Sequence, residues 1–261
     1  MLILRTLTKY SVVIMFAFLK RILGFSKTES IRILMYHKVL PESEILKKNA
    51  LVVSVENLEK QFQYIQDNYN TLFFKDIESS TQLKNKLIIT FDDGYLNNLQ
   101  YLLPLLEKYQ LKATIFIPTG LIQKGGLYED CEMMTFEDIK SLNPEFVEIA
   151  LHSHSHKNYA HISLSEVEED LEKNIQTLNE KEIPFTRVLA YPYGKFPRKG
   201  LQKKEFFALL EKMKIISGIR IGNNIDHYPW KNKFEVKRID IKGEDSFSVF
   251  KWKLKLGKIK L

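Results

Sequence analysis

The chain has 261 residues, of which 44% are apolar and 27% charged. That is enough apolar material for one α/β domain of barrel size, and too much charge for a protein wholly embedded in a membrane. Cys131 is the only cysteine, which excludes a disulfide framework and a cysteine-rich zinc site, so any metal must be held by His, Asp or Glu. Much of the net charge of +7 sits at the two ends: Arg5, Lys9, Lys20 and Arg21 flank an apolar stretch, and Lys251, Lys253, Lys255, Lys258 and Lys260 crowd the last eleven residues. Basic ends suit anionic lipid or nucleic acid. No basic, aromatic-studded groove accompanies them, so a membrane surface is expected as a partner and nucleic acid is not.

The run Tyr10 to Leu19 carries no charge but is short. At about 1.5 Å per residue it covers roughly half of a ~30 Å hydrocarbon core. Residues 1–27 are therefore expected to lie in the membrane interface, with a signal anchor or a helix capping the domain as alternatives.

From about Ile31 onward, strand-like and helix-like segments alternate. Ile33 to Tyr36 is a short apolar run, and Ser54 opens a helical pattern reaching about Tyr69. Lys86 to Phe91 reads as a buried strand, and Leu99 to Leu106 gives a helix its apolar face. Ala113 to Ile117 is a strand ended by Pro118, and Thr135 can cap a helix from Phe136 to Leu142. Val147 to Leu151 is a strand. Ser165 and Glu168 form a capping-box pattern for a helix to about Asn179. Val188 to Tyr191 and Ile215 to Ile219 read as strands around a helix from Leu201 to Met213. This alternation implies parallel βαβ units, and a count near seven favours a barrel-like sheet with its site at the C-terminal strand ends.

Three clusters fall at such ends. Thr90-Phe91-Asp92-Asp93-Gly94-Tyr95 sets two adjacent carboxylates after a strand, a costly pairing unless a cation compensates it, although Asp-Asp-Gly is also good turn chemistry. His152-Ser153-His154-Ser155-His156 follows the next strand but one. Two imidazoles and a carboxylate make a three-ligand metal set, and spacing alone leaves open which two histidines bind. Ala190-Tyr191-Pro192-Tyr193-Gly194 is a turn whose backbone N–H groups could face a site.

These motifs resemble those of the polysaccharide deacetylase family, which carries the NodB-homology domain. Thr90 to Gly94 matches the first motif, His152-Ser153-x-x-His156 the second, and Tyr191 to Gly194 most of the third. The resemblance implies a distorted (β/α)7-type barrel. It also implies Asp92 as general base, Asp93, His152 and His156 as metal ligands, and the Tyr193 amide as an oxyanion donor. Tyr191, Asp226 and Trp230 are expected to bind substrate. Two departures stand out. Ala190 occupies the position where the third motif usually has Arg, and Asp226-His227-Tyr228-Pro229-Trp230 has Pro229 for the second Asp of the fourth. The opening Ile33-Leu34-Met35-Tyr36-His37 is similar to the circularly permuted branch acting on poly-N-acetylglucosamine-type polymers, which makes His37 the expected general acid, with His227 as its rival and His154 a spectator. The implied domain spans residues 28–245, followed by a basic tail over 246–261. The implied function is metal-dependent removal of an N-acetyl group from an aminosugar, in a bacterial cell-envelope polysaccharide or its lipid-linked precursor. Zn²⁺ is the expected cofactor, and Co²⁺, Ni²⁺ or Fe²⁺ suit the same ligands. A deformylase, an O-deacetylase and a non-catalytic glycan-binding module on the same fold are the alternatives.

Overall fold

The computed structural model describes residues 29–46, 49–80 and 82–257. The expected membrane-interface segment, 1–27, lies outside them. Among the described residues no helix is long and apolar enough to cross a membrane.

The strands are β1 (Glu29–Tyr36), β2 (Lys38–Leu40), β3 (Val52–Ser54), β4 (Asn70–Thr71), β5 (Lys86–Phe91), β6 (Ala113–Ile117), β7 (Leu127–Tyr128), β8 (Cys131–Glu132), β9 (Val147–Leu151), β10 (Thr186–Ala190), β11 (Ser217–Ile221), β12 (Asp226–Tyr228) and β13 (Val236–Asp240). The helices are α1 (Val55–Asn68), α2 (Leu103–Tyr109), α3 (Thr119–Lys124), α4 (Phe136–Ser141), α5 (Leu164–Glu180), α6 (Gly200–Lys212) and α7 (Phe247–Leu256). Seven parallel strands, in the order β1, β5, β6, β9, β10, β11 and β13, close into a barrel when β13 pairs with β1. This is the expected (β/α)7-type architecture. β12 lies antiparallel against the start of β1, with Glu29 opposite Tyr228 and Ile31 opposite Asp226.

Because successive side chains in a strand point to opposite faces, each barrel strand builds two layers. Ile31, Ile33, Ile88, Phe116, Ala150, Val188, Ala190, Ile219 and Val236 fill the interior, and Leu72, Phe74 and Ile77 join that cluster. Leu34, Leu87, Ile89, Ile115, Ile149, Leu189 and Ile239 belong to the second cluster, shared with the helices. Burial on both faces explains the near-continuous apolar runs of the sequence. Glu148 is a buried acid among them: its carboxylate accepts from the Phe74 and Lys75 amides and from the Thr114 and Thr186 hydroxyls, at 2.6–3.2 Å.

Local signals set most boundaries. The Ser54 hydroxyl accepts from the Asn57 amide and starts α1, whose Leu58, Phe62 and Ile65 are buried. Each such side chain contributes about 1.5–3 kcal/mol relative to exposure. The capping box of α5 is formed by Ser163 and Glu166, two residues before the expected Ser165 and Glu168. Both pairs fit the pattern. Ile162 and Val167 pack in the same apolar cluster, flanking the earlier cap in the positions of a hydrophobic staple.

The expected basic tail is also corrected over its described residues, 246–257. Ser246 caps α7, and Phe250 and Leu254 are buried in the main core. Phe250 packs edge-on to Tyr64 and stacked with Phe247. Lys253 donates to the Asp240 carbonyl at 2.8 Å and pairs with Asp245. Lysines at alternate positions mask a helix whose buried residues are spaced four apart. Phe250→Ala should therefore cost about 3–5 kcal/mol in urea unfolding, whereas the same change in a solvated tail would leave the midpoint unmoved.

Candidate active site

The interior rows of side chains end at the C-terminal rim of the barrel, and the candidate functional groups are their last members. On β5 the row is Ile88, Thr90 and then Asp92. On β9 it is Glu148, Ala150 and then His152. On β13 it is Val236, Arg238 and Asp240. His37, one residue past β1, continues the row of Ile31 and Ile33. Period two thus delivers all four groups to one rim.

Asp92 and Asp93 are both buried, and they face different partners. The guanidinium of Arg238 grips Asp92 through two bonds of 2.6 and 2.7 Å, and its Nη1 also donates to the Thr90 hydroxyl at 3.1 Å. Burial acts to raise the Asp92 pKa, yet the carboxyl lies below its ordinary value because Arg238, and behind it His152 and His37, favour the charge. The Asp93 backbone is left-handed, with φ 75°, and Gly94 follows at φ 73°. A Cβ on Gly94 would stand 2.8 Å from Ile117 Cδ1. The turn swings the Asp93 carboxylate away from Arg238 and towards the histidines.

His152 Nε2 and His156 Nε2 stand 3.3 and 3.2 Å from Asp93 Oδ1. Burial acts to raise the Asp93 pKa, and the two imidazoles hold it well below the usual carboxylate value. The other ring nitrogens are engaged: His152 Nδ1 meets the Ala190 carbonyl at 2.7 Å and His156 Nδ1 meets the Tyr128 hydroxyl at 3.1 Å. Both rings are thereby oriented with Nε2 towards Asp93, as outer partners orient metal-binding histidines. Asp93 Oδ1 is buried with no aligned hydrogen-bond donor among the described residues. One oxygen and two imidazole nitrogens within 4.8 Å of one another fit a divalent cation by position and donor type.

Asp170 braces the histidine loop. It accepts from the His154 and Ser155 amides at 3.1 and 2.8 Å, from the Ser155 hydroxyl, and from the Tyr159 hydroxyl at 2.7 Å. His154 turns the other way, its Nδ1 3.0 Å from the Thr119 hydroxyl, so of the three histidines left open by spacing, the structure brings His152 and His156 together. Asp93, Ser153, His156 and Tyr193 all have positive φ. Left-handed non-glycine residues gather where the surroundings over-determine the backbone, as functional sites do.

His37 Nε2 lies 3.9 Å from Asp92 Oδ2, placing it across from the histidine loop. Asp240 ends the adjacent strand. Burial raises its carboxyl pKa, opposed first by Lys253 and then by His37. Tyr193 sits in a turn closed by Gly194 N–H to the Tyr191 carbonyl at 2.7 Å and Lys195 N–H to the Pro192 carbonyl at 3.0 Å. Its own amide is not spent in those bonds. Its half-exposed ring is 4.8 Å from the His156 ring.

The expected substrate contacts do not gather there. Tyr191 is fully buried, with its hydroxyl donating to the Phe234 carbonyl at 3.0 Å, because its parity on β10 places it in the outer layer. Asp226 and Trp230 lie at the opposite end of the barrel, where β12 meets the start of β1. Asp226 accepts from the Lys237 amide and Trp230 packs on Tyr228. His227, exposed on β12, shares that end. Arg238, Tyr128 and Asp240 were missed. Arg238 and Asp240 had a signal, since Val-Lys-Arg-Ile-Asp alternates with period two. Tyr128 had none, because only the β7–β8 hairpin brings it to His156.

The sequence profile of the polysaccharide deacetylases matches residues 79–209. The Bacillus subtilis (strain 168) protein YxkH, named as a polysaccharide deacetylase, is 27% identical over 186 residues, 69% of this chain and 62% of that protein. The chain thus spans less than two thirds of that relative. The fold matches the Streptococcus pyogenes deacetylase PplD, solved with acetate, at a TM-score of 0.75 and 19% identity, over 89% of this chain and 100% of that one. A de-N-acetylase from Aggregatibacter actinomycetemcomitans matches at 0.70 and 17% identity, over 86% and 100%. IcaB from Ammonifex degensii matches at 0.69 and 20%, over 86% and 97%.

Arg238→Met leaves Asp92 buried without its cation. The Asp92 pKa should rise, read by carboxyl carbon-13 NMR, and stability near neutral pH should fall by about 3–5 kcal/mol. A depressed native pKa stabilises above the unfolded carboxylate pKa, and that contribution is lost as pH falls through the native value. The stability gap between variant and parent should accordingly narrow in acid. An unmoved titration would show that Arg238 does not control Asp92.

Proposed function

We propose, from the premise that this chain belongs to the polysaccharide deacetylase family, that it hydrolyses the N-acetyl group of an aminosugar in a cell-envelope polysaccharide or its lipid-linked precursor, with a divalent cation at Asp93, His152 and His156. The observation that carries this reading is the convergence of those three side chains beside Asp92, a carboxylate kept charged by Arg238. When bound, the cation supplies Lewis-acid polarisation of the acyl carbonyl and acidifies water. Zn²⁺ is the first expectation for two imidazoles and one carboxylate.

The remaining steps belong to the protein. Asp92 takes the proton from attacking water as general base. Because the pair with Arg238 engages both carboxylate oxygens, it fixes the orientation of the base as well as its charge. The Tyr193 amide donates to the oxyanion. His37, protonated, donates to the departing amine, a poor leaving group without a proton. Its place directly after the first barrel strand supports grouping the chain with the permuted branch. Tyr193, exposed beside His156, offers an aromatic face to the sugar.

Acetate release and product mass from N-acetylated, N-formylated and O-acetylated glycans test the reaction. Release from N-acetylated substrates alone is expected, and preferential formate release would overturn the reading. Asp93→Ala, His152→Ala and His156→Ala should each lose the cation by elemental analysis, while Asp92→Asn keeps it and turns over about 10²–10⁴-fold more slowly. Full cation content in His152→Ala would refute the ligand set. His37→Ala should lose a similar factor together with the basic limb of the kcat/KM profile. Near-normal activity with an unaltered limb would remove His37 from the mechanism.

A further inference from the structure

The outer face of α7 carries a pattern that the catalytic site does not use. At 100° per residue, Ser248, Lys251, Trp252, Lys255 and Leu256 fall on one strip, and all five are exposed. Trp252 is 50% and Leu256 59% exposed, large values for the apolar residues of a helix whose other face is core. Lys255 Nζ lies 5.6 Å from the centre of the Trp252 ring, and Lys251 Nζ lies 5.0 Å from that of Phe247. The strip is thus an apolar pair flanked by two cations. Asp245, just before the helix, pairs with Lys253, and Glu29 accepts the Leu83 amide.

The position of the strip adds a second observation. Arg32 Nε donates to the Leu254 carbonyl at 2.6 Å, and Gly257 packs against Asn223 and Asn224, just before β12. The end of α7 therefore lies beside the early part of β1. The chain enters β1 at Glu29, directly after a segment whose sequence holds the uncharged run Tyr10 to Leu19 between basic flanks. In the sequence, Lys258 and Lys260 alternate with Ile259 and Leu261 beyond the helix. The two ends of the described chain, Glu29 opposite Tyr228 and Gly257 against Asn223 and Asn224, thus lie on the same part of the wall.

We propose that the Lys251, Trp252, Lys255, Leu256 strip of α7 is a contact surface for an anionic lipid bilayer. Tryptophan favours the level of the headgroups, and lysines extend their amines to phosphate while their stems lie along apolar surface. The acidic counterpart of the strip is the lipid headgroup layer, and each lysine held near it strengthens binding. The proposal does not rest on the catalytic reading.

Trp230 and Trp252 are the only tryptophans, so Trp230→Phe makes Trp252 the sole reporter in the full chain. With vesicles of phosphatidylcholine and phosphatidylglycerol, its emission should shift to the blue and be quenched by brominated acyl chains. Phosphatidylcholine alone should produce little change. Lys251→Glu with Lys255→Glu should lower partitioning into the mixed vesicles by about tenfold or more, with the fold checked by circular dichroism. Unaltered Trp252 emission, whether or not the chain sediments with vesicles, would overturn the proposal, as would an equal response to neutral vesicles. Should the double variant fail to fold, the single-tryptophan measurement decides alone.

Discussion

Two adjacent carboxylates buried at the rim of a barrel are the constraint around which the site is organised. Neighbouring buried negative charges are untenable unless each has its own compensation. The backbone separates them: Asp92 ends the inner row of β5, and left-handed turns at Asp93 and Gly94 send the second carboxylate to the histidine loop. Asp92 is then compensated inside the protein by Arg238, in bidentate contact. Asp93 is left with an oxygen between two imidazoles, an arrangement suited to an external cation. One pair of residues thus divides into a group the protein keeps charged for itself and a group suited to a ligand.

The departure at Ala190 follows from the same account. The position that usually carries Arg holds a small residue in the interior cluster, and its carbonyl receives His152 Nδ1. The counter-charge for Asp92 comes instead from β13, two strands round the barrel from β10. A guanidinium can reach the rim from another strand because the barrel is closed and inner rows from all strands converge there. Arg238 lies over the Phe116 ring, 5.4 Å from its centre, so its planar group is held by packing as well as by charge.

The histidine loop shows how outer contacts make the inner ones specific. Asp170 gathers two amides and two hydroxyls, Thr119 takes His154, and Tyr128 and Ala190 fix the remaining two rings. Without these contacts three histidines in five residues could present several pairs. With them, one pair faces Asp93 and the third serves the scaffold.

The sequence by itself determined the barrel and the chemistry at its rim, because both rest on local rules. Apolar strands buried on both faces, caps such as Ser54 and Thr135, and Asp-Asp-Gly or His-rich turns directly after strands are all patterns within a few residues. Tertiary structure decided what depends on residues distant in the chain. Arg238 reaches Asp92 across 146 positions, and Tyr128 reaches His156 through a hairpin. Tyr191, Asp226 and Trp230 lie near rim motifs or in a motif-like run, yet strand parity buries the first and the β12 pairing carries the others to the far end. The C-terminal lysines concealed α7 because charge count reports solvation, whereas the buried Phe250 and Leu254 are set by what the helix packs against.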